Sequence, residues 1–337
     1  MTKRIGFLSF VVFGGLLTWL LSYYQRWLVE QTTRVSADSH IVETARGIVE
    51  YDIRGESAVI LHFHGGNVGH NGWFMLSHLI DAGYKILTPD RPGYLGTPLV
   101  DNGSPADQAD LMASLLDSLG IVHVVVVGVS AGGPPALEFA SRYPERTRGL
   151  VLLSAMTKQV KLTDDQLNST LGRLVMTERF QNPAYFLIHQ AMHHLTSLTL
   201  QDYVRTETTY TQEEGSRYID MVMADPAQVR QVKALADAIV PGLPRFAGVM
   251  NDLHNQRTMT LSSLDSIQTP TLIVHSEYDG DVPYDNATHA LDNIPSAELI
   301  TVAQFGHMIW WGDPQVTADF QRRITAHVEM CFARADA

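Results

Sequence analysis

The chain has 337 residues, 45% of them apolar, with 36 acidic against 24 basic side chains and a net charge of −12. That is the composition of a globular protein with a full core, and the acidic excess argues against nucleic acid as a partner. A lone cysteine, Cys331, cannot close an intramolecular disulfide, so the fold neither requires nor forbids an oxidising compartment.

At the N-terminus, Ile5 to Ser22 carries no charge, and Tyr23 and Tyr24 extend the run. As a helix it spans about 27 Å at ~1.5 Å per residue, close to the hydrocarbon thickness of a bilayer. Lys3 and Arg4 precede it, and Trp19, Tyr23, Tyr24 and Trp27 gather near its far end, as interfacial aromatics do. The expectation is a transmembrane helix over Ile5 to Tyr24, a single-pass anchor in the lipid bilayer. Lys3, Arg4 and the terminal amine favour an inside N-terminus, which places the rest of the chain outside the cytoplasmic membrane. A cleaved signal peptide competes, but the small residues at Val35-Ser36-Ala37 lie farther from the apolar run than a cleavage region reaches. Residues 25 to about 40 read as a polar tether.

Ile41 to Arg54 reads as opening strands. Ala58 to Phe63 is a buried strand followed by His64-Gly65-Gly66-Asn67, and Asn71 to Ala82 is a crossover helix. The next strand, Tyr84 to Thr88, leads into Asp90-Arg91-Pro92-Gly93-Tyr94. Ser104-Pro105-Ala106-Asp107 carries a capping serine, a first-turn proline and an acid near the positive end of a helix dipole, so a helix starts there. Gly120 ends it.

The nearly unbroken β-branched run Ile121 to Val127 then meets Gly128-Val129-Ser130-Ala131-Gly132, followed by helix-compatible sequence through Ala140. Strand, tight turn with a central serine, then helix is the context that gives a G-x-S-x-G match weight. Gly149 to Leu153 is another strand. From 155 to 265 strand signals stop, and helical patterns follow one another, punctuated by Pro183, Pro226, Pro241 and Pro244.

Strands resume at Pro270 to His275, which ends near Asp279, and at Ala297 to Val302, followed by Phe305-Gly306-His307 and a helix from about Asp313. Ser130, Asp279 and His307 thus fall just past the ends of three strands. A serine hydroxyl is a poor nucleophile until a neutral imidazole takes its proton, and the imidazole needs a carboxylate to fix its tautomer and stabilise its cation. Asp281 is the rival acid. Among the other histidines, His327 lies within the last helix. His189, His193 and His194 hint at a metal cluster, since His-x-x-x-His puts two imidazoles on one helix face, but no companion Glu or third ligand is evident. They read instead as polar residues of a cap helix, and no metal or cofactor is expected.

These pieces, in this order and spacing, resemble the α/β-hydrolase superfamily from about residue 47 to the C-terminus. The resemblance implies a mostly parallel central sheet flanked by helices, with a core of residues 41–154 and 266–337 and a helical cap inserted at 155–265. Residues 1–40 form the anchor and tether. It implies Ser130 as nucleophile, His307 as base and Asp279 as its orienting acid, the family pattern setting the acid four residues before the proline of its loop. It also implies an oxyanion hole made by the backbone N–H groups of Gly66 and Ala131, with His64 packing behind the loop. Serine at the elbow argues against haloalkane dehalogenases and epoxide hydrolases, which carry Asp there. The expected function is hydrolysis of a carboxylic ester or related acyl bond in a small apolar substrate, through an acyl-enzyme, outside the cytoplasmic membrane. A peptidase, a C–C bond hydrolase and a cofactor-free haloperoxidase would use the same three residues, and a non-catalytic binding protein is the alternative of another class.

Overall fold

The computed structural model describes residues 2–160 and 176–334, with the backbone alone for residues 2–12. The chain divides into two compact units, residues 1–38 and 39–337. The first is a single helix, α1 (Thr2–Ser36), so the stretch read as a tether is helical almost to its end. Trp19 stacks on Tyr23 along it, and Thr18 donates back to the Gly14 carbonyl.

Among the described residues, no helix is long and apolar enough to cross a membrane. This corrects the expected transmembrane helix over Ile5 to Tyr24, the lipid bilayer as a partner through it, and the membrane-anchored, extracytoplasmic placement that rested on it. The helix runs on without a break through Arg26, Glu30 and Arg34, so its described part is charged beyond the uncharged run. Residues 5–12 of the expected span lie outside the described side chains.

The second unit is built on one sheet, which among the described residues has eight strands in the order β1-β2-β4-β3-β5-β6-β7-β8. They are β1 (His40–Thr44), β2 (Gly47–Arg54), β3 (Val59–Phe63), β4 (Lys85–Pro89), β5 (Val124–Val129), β6 (Thr147–Leu153), β7 (Thr271–Ser276) and β8 (Ala297–Val302). The β1/β2 and β2/β4 pairs are antiparallel and all later pairs are parallel. All six residues of β5 are buried, because helices cover both faces of the sheet. Alternate residues point to opposite faces. Val125, Val127 and Val129 join one core with Leu76, Leu79, Phe320 and Ile324, while Val124 and Val126 join the other with Leu111, Leu115 and Phe139.

Helices α2 (Ser77–Asp81), α3 (Pro105–Ser118) and α4 (Gly133–Arg142) connect the first six strands. Ser104 caps α3 by accepting the Asp107 N–H. Between β6 and β7 the described regular elements are helical: α5 (Gln181–His194), α6 (Thr196–Glu207), α7 (Gln212–Ala224), α8 (Pro226–Ala238) and α9 (Phe246–Thr258). The chain closes with α10 (Asp285–Asn293) and α11 (Pro314–Ala333). After β3 the chain crosses outward to β4, and after β5 it crosses the other way to β6. The carboxyl ends of β3 and β5 therefore flank the crevice where open parallel sheets place their ligands.

Close approach of backbone to backbone fixes that crevice. A Cβ on Gly132 would sit 2.1 Å from the Phe63 carbonyl oxygen, at the end of β3, and 2.7 Å from that of His64, backbone atoms with little room to retreat. Gly132→Ala is expected to destabilise the fold by roughly 1–3 kcal/mol, as overpacking does. It is read as a lower urea midpoint, and an unchanged midpoint would contradict the contact.

Candidate active site

Ser130 leaves β5 with φ +50°, a left-handed conformation that few side chains other than glycine adopt without cost. One 3₁₀ turn, Ser130–Gly132, carries the chain into α4. The strain lifts the hydroxyl clear of the strand and sets the Ala131 N–H at the positive end of a helix.

His307, on the loop after β8, faces it. Its Nε2 lies 3.0 Å from Ser130 Oγ and its Nδ1 2.9 Å from Asp279 Oδ2. A carboxylate at Nδ1 selects the Nδ1–H tautomer, which leaves Nε2 to accept the serine O–H. Asp279 is buried, and its Oδ1 accepts the backbone N–H groups of Asp281 at 3.0 Å and Val282 at 2.8 Å. His275 Nε2 stands 3.3 Å from Oδ2. The structure thus brings together the three strand-end residues. Asp281 does not take the place of Asp279: its carboxylate is 3.6 Å from His307 Nε2, the nitrogen that faces the serine. His327 sits on α11, a different element, half-buried.

The His307 backbone is held from both sides. Its carbonyl accepts the Ser154 hydroxyl at 2.9 Å, and its N–H donates to the Glu207 carbonyl at 3.2 Å. That Glu207 carbonyl also accepts the Gly280 N–H at 3.1 Å, and Thr209 N–H donates to the Tyr278 carbonyl at 3.0 Å. The end of α6 therefore clasps both the acid loop and the histidine loop. Sequence reasoning missed Glu207, Ser154 and Tyr203, whose hydroxyl accepts the Met308 N–H. None lies in a motif, and each acts across more than 70 residues of chain.

The loop after β3 lies against the serine: a Cβ on Gly65 would stand 3.4 Å from Ser130 Cβ, whereas one on Gly66 would meet nothing within 4 Å. Gly66 and Ala131, like Ser130, are half-buried. His64 packs behind the loop. Its Nδ1 donates to the Gly65 carbonyl at 2.7 Å, and its Nε2 accepts the Arg91 N–H at 3.0 Å. Burial, followed by the Arg91 charge, holds its pKa well below the ordinary imidazole range, which keeps it neutral for that accepting role. Arg91, fully buried, donates from Nε to the His64 carbonyl at 2.9 Å and grips both oxygens of Asp252 on α9 at 2.6 Å. From α5, the Tyr185 hydroxyl donates to Asn67 Oδ1 at 2.5 Å.

Residues 58–314 match the family model described as alpha/beta hydrolase fold. The chain belongs to the α/β-hydrolase family. It is 32% identical over 266 residues to the uncharacterized hydrolase YcgS of Bacillus subtilis (strain 168), spanning 79% of this chain and 90% of that one. It is 27% identical over 258 residues to a 2-hydroxy-6-oxononadienedioate/2-hydroxy-6-oxononatrienedioate hydrolase of Pseudomonas sp, spanning 75% and 82%. Among solved structures, an alpha/beta hydrolase fold protein from Nakamurella multipartita superposes with a TM-score of 0.74 at 29% identity, covering 86% of this chain and 98% of that one.

The electrostatics of this hydrolase site are dominated by carboxylates. Burial alone would depress the His307 pKa, but the charge and hydrogen bond of Asp279, with the charges of Asp281 and Glu207, overcome it and hold the imidazole above its ordinary range. Burial likewise opposes ionisation of Asp279, yet the His307 charge and the hydrogen bonds from His275 and His307 pull its pKa below the carboxylate range. Glu207 goes the other way, pushed up to about 8 by burial and then by the Asp281 charge.

Two expectations follow from these contacts. Arg91→Ala leaves Asp252 buried without its cation, the Tyr94 hydroxyl alone still donating to it, and should cost about 3–5 kcal/mol by urea denaturation; Arg91→Lys should not restore the bidentate grip. An Arg91→Ala variant as stable as the parent would contradict this. The base must be neutral to accept a proton, so the acid limb of kcat/KM should lie above the reference imidazole value of ~6.5. In Asp281→Asn the imidazolium loses a favourable charge, and the limb should move to lower pH; an unmoved limb would show that Asp281 does not act on His307.

Proposed function

We propose that this α/β hydrolase cleaves a neutral carboxylic ester, or a closely related acyl bond, through an acyl-enzyme on Ser130. The observation that carries the reading is the continuous hydrogen-bonded line from Ser130 Oγ through His307 to Asp279. Ser130 Oγ attacks the carbonyl carbon while His307 Nε2 takes its proton. The carbonyl oxygen becomes an alkoxide, which the N–H groups of Ala131 and Gly66 receive better than they receive the ground-state carbonyl. Asp279 stabilises the imidazolium, which then gives its proton to the departing alcohol. Water enters, His307 takes its proton, the acyl group leaves as the acid, and the proton returns to Ser130. The helices of 155–265 act as a cap that selects acyl groups over a core of 41–154 and 266–337.

The 27% identity to a dienedioate hydrolase favours a second reading, cleavage of a carbon–carbon bond by the same residues. Charge supports the neutral substrate instead. The Asp279 and Asp281 carboxylates flank the imidazole and disfavour an anion beside it. The fully buried cations nearby are engaged: Arg91 by Asp252, and Arg245 by the carbonyls of Val68, Pro241 and Ala238.

Ser130→Ala and His307→Ala should each lower ester turnover by up to about 10⁶-fold, with little added loss when combined, and Asp279→Asn should lose somewhat less. Wild-type turnover in purified Ser130→Ala would sink the mechanism. A panel of p-nitrophenyl esters of increasing acyl length, run beside a ring-fission dienedioate, separates the two readings. Higher kcat/KM on the esters is expected, and higher kcat/KM on the diacid would favour carbon–carbon cleavage.

A further inference from the structure

We propose that His189, His193 and Asp237 form a binding site for a borderline divalent cation, Zn²⁺ by its ligand chemistry, that staples α5 to α8. The His-x-x-x-His spacing lacks a third ligand in sequence; the fold supplies it from α8. Asp237 Oδ1 lies 3.0 Å from His189 Nε2 and 2.9 Å from His193 Nε2, and the three ligand atoms lie within 4.8 Å of one another. The two imidazoles are one helical turn apart with ring centroids 4.5 Å from each other, so both Nε2 atoms converge on one point.

The dimensions suit zinc. With bonds of about 2.0–2.2 Å to imidazole nitrogen and carboxylate oxygen, a tetrahedral ion sets its ligands about 3.3–3.4 Å apart. The Asp237 contacts need to open by only a few tenths of an ångström. Two imidazoles and one carboxylate are also the donor set that borderline ions take in preference to calcium or magnesium. Each imidazole must present a lone pair at Nε2 and carry its proton on Nδ1. At His189 an acceptor for that proton is at hand: Nδ1 faces the Gln190 amide at 3.3 Å, and turning the amide over offers its oxygen. The side chains of His189, His193 and Asp237 are 9%, 27% and 40% exposed. That exposure gives a hydrated ion access to the cluster.

The staple bears on the cap. Tyr185, one turn before His189 on α5, reaches Asn67 beside the serine, and α8 ends at Ala238, whose carbonyl accepts from Asn71 Nδ2 at 3.1 Å and from Arg245. Joining α5 to α8 therefore steadies two attachments of the cap to the loop region after β3. No step of the acyl reaction passes through the ion, so the site stands or falls independently of that chemistry.

The test uses untagged, chelator-stripped full-length protein titrated with Co²⁺ and then Zn²⁺. Ligand-field absorption in the visible should saturate at one Co²⁺ per chain and be displaced by Zn²⁺. Loss of an outer-shell partner costs a metal site 10–100-fold in affinity, so losing a direct ligand in His193→Gln or Asp237→Asn should weaken Zn²⁺ binding, by calorimetry, by at least ~100-fold. His194→Gln, at an exposed neighbour, should bind as the parent does. Zn²⁺ should also raise the melting midpoint of the parent and of His194→Gln, but not of the other two. Absence of saturable binding to the folded parent, which needs no variant, overturns the proposal; so does undiminished binding in His193→Gln and Asp237→Asn.

Discussion

The site depends on one backbone constraint: β5 has to end, reverse and enter α4 within a few residues while lying against β3. Gly132 permits that approach, since any Cβ there would collide with the carbonyls of Phe63 and His64. The turn costs Ser130 a left-handed conformation, of order 1–3 kcal/mol, which the buried valines of β5 on both faces of the sheet more than offset. What the strain achieves is placement. The serine hydroxyl, the Ala131 N–H and the loop bearing Gly66 all arrive at one spot because the two strand ends are locked together. Flexible loops converging on that spot would have to be ordered each time a substrate bound.

A second layer keeps the loops around that spot in place, and it is made of charge. Arg91 joins the loop after β3 to Asp252 on α9 through a buried ion pair. Such a pair gives little net stability over well-packed apolar residues, but it is expensive to break, and Arg91 also donates to the His64 and Gly65 carbonyls. The Glu207 carbonyl makes an equivalent uncharged link to Gly280 and His307. Contacts from α6 and α9 thus reach the loops around Ser130.

Much of this was legible in sequence wherever the signal was local. A β-branched run followed by glycine, serine and glycine announces its own strand, turn and helix, and Asp279 and His307 follow equally plain strands. The pairings between distant segments were not legible. Arg91 and Asp252 are 161 residues apart, and Glu207 and Asp237 sit in helices whose periodicity says only that they are amphipathic. The N-terminal expectation failed for a related reason. A charge-free run with aromatics at its far end reads as a membrane span, whereas the described part of α1 passes through Arg26, Glu30 and Arg34 without a break in the helix.

The central claim is that Ser130, activated by His307, is the nucleophile of this hydrolase. A fluorophosphonate forms a stable bond only with a serine whose proton is taken as it attacks. Intact mass and peptide mapping after brief labelling should show one adduct per chain, carried by Ser130, absent from Ser130→Ala and greatly slowed in His307→Ala. A folded parent that takes up no label, or a label mapped to another residue, would contradict the account.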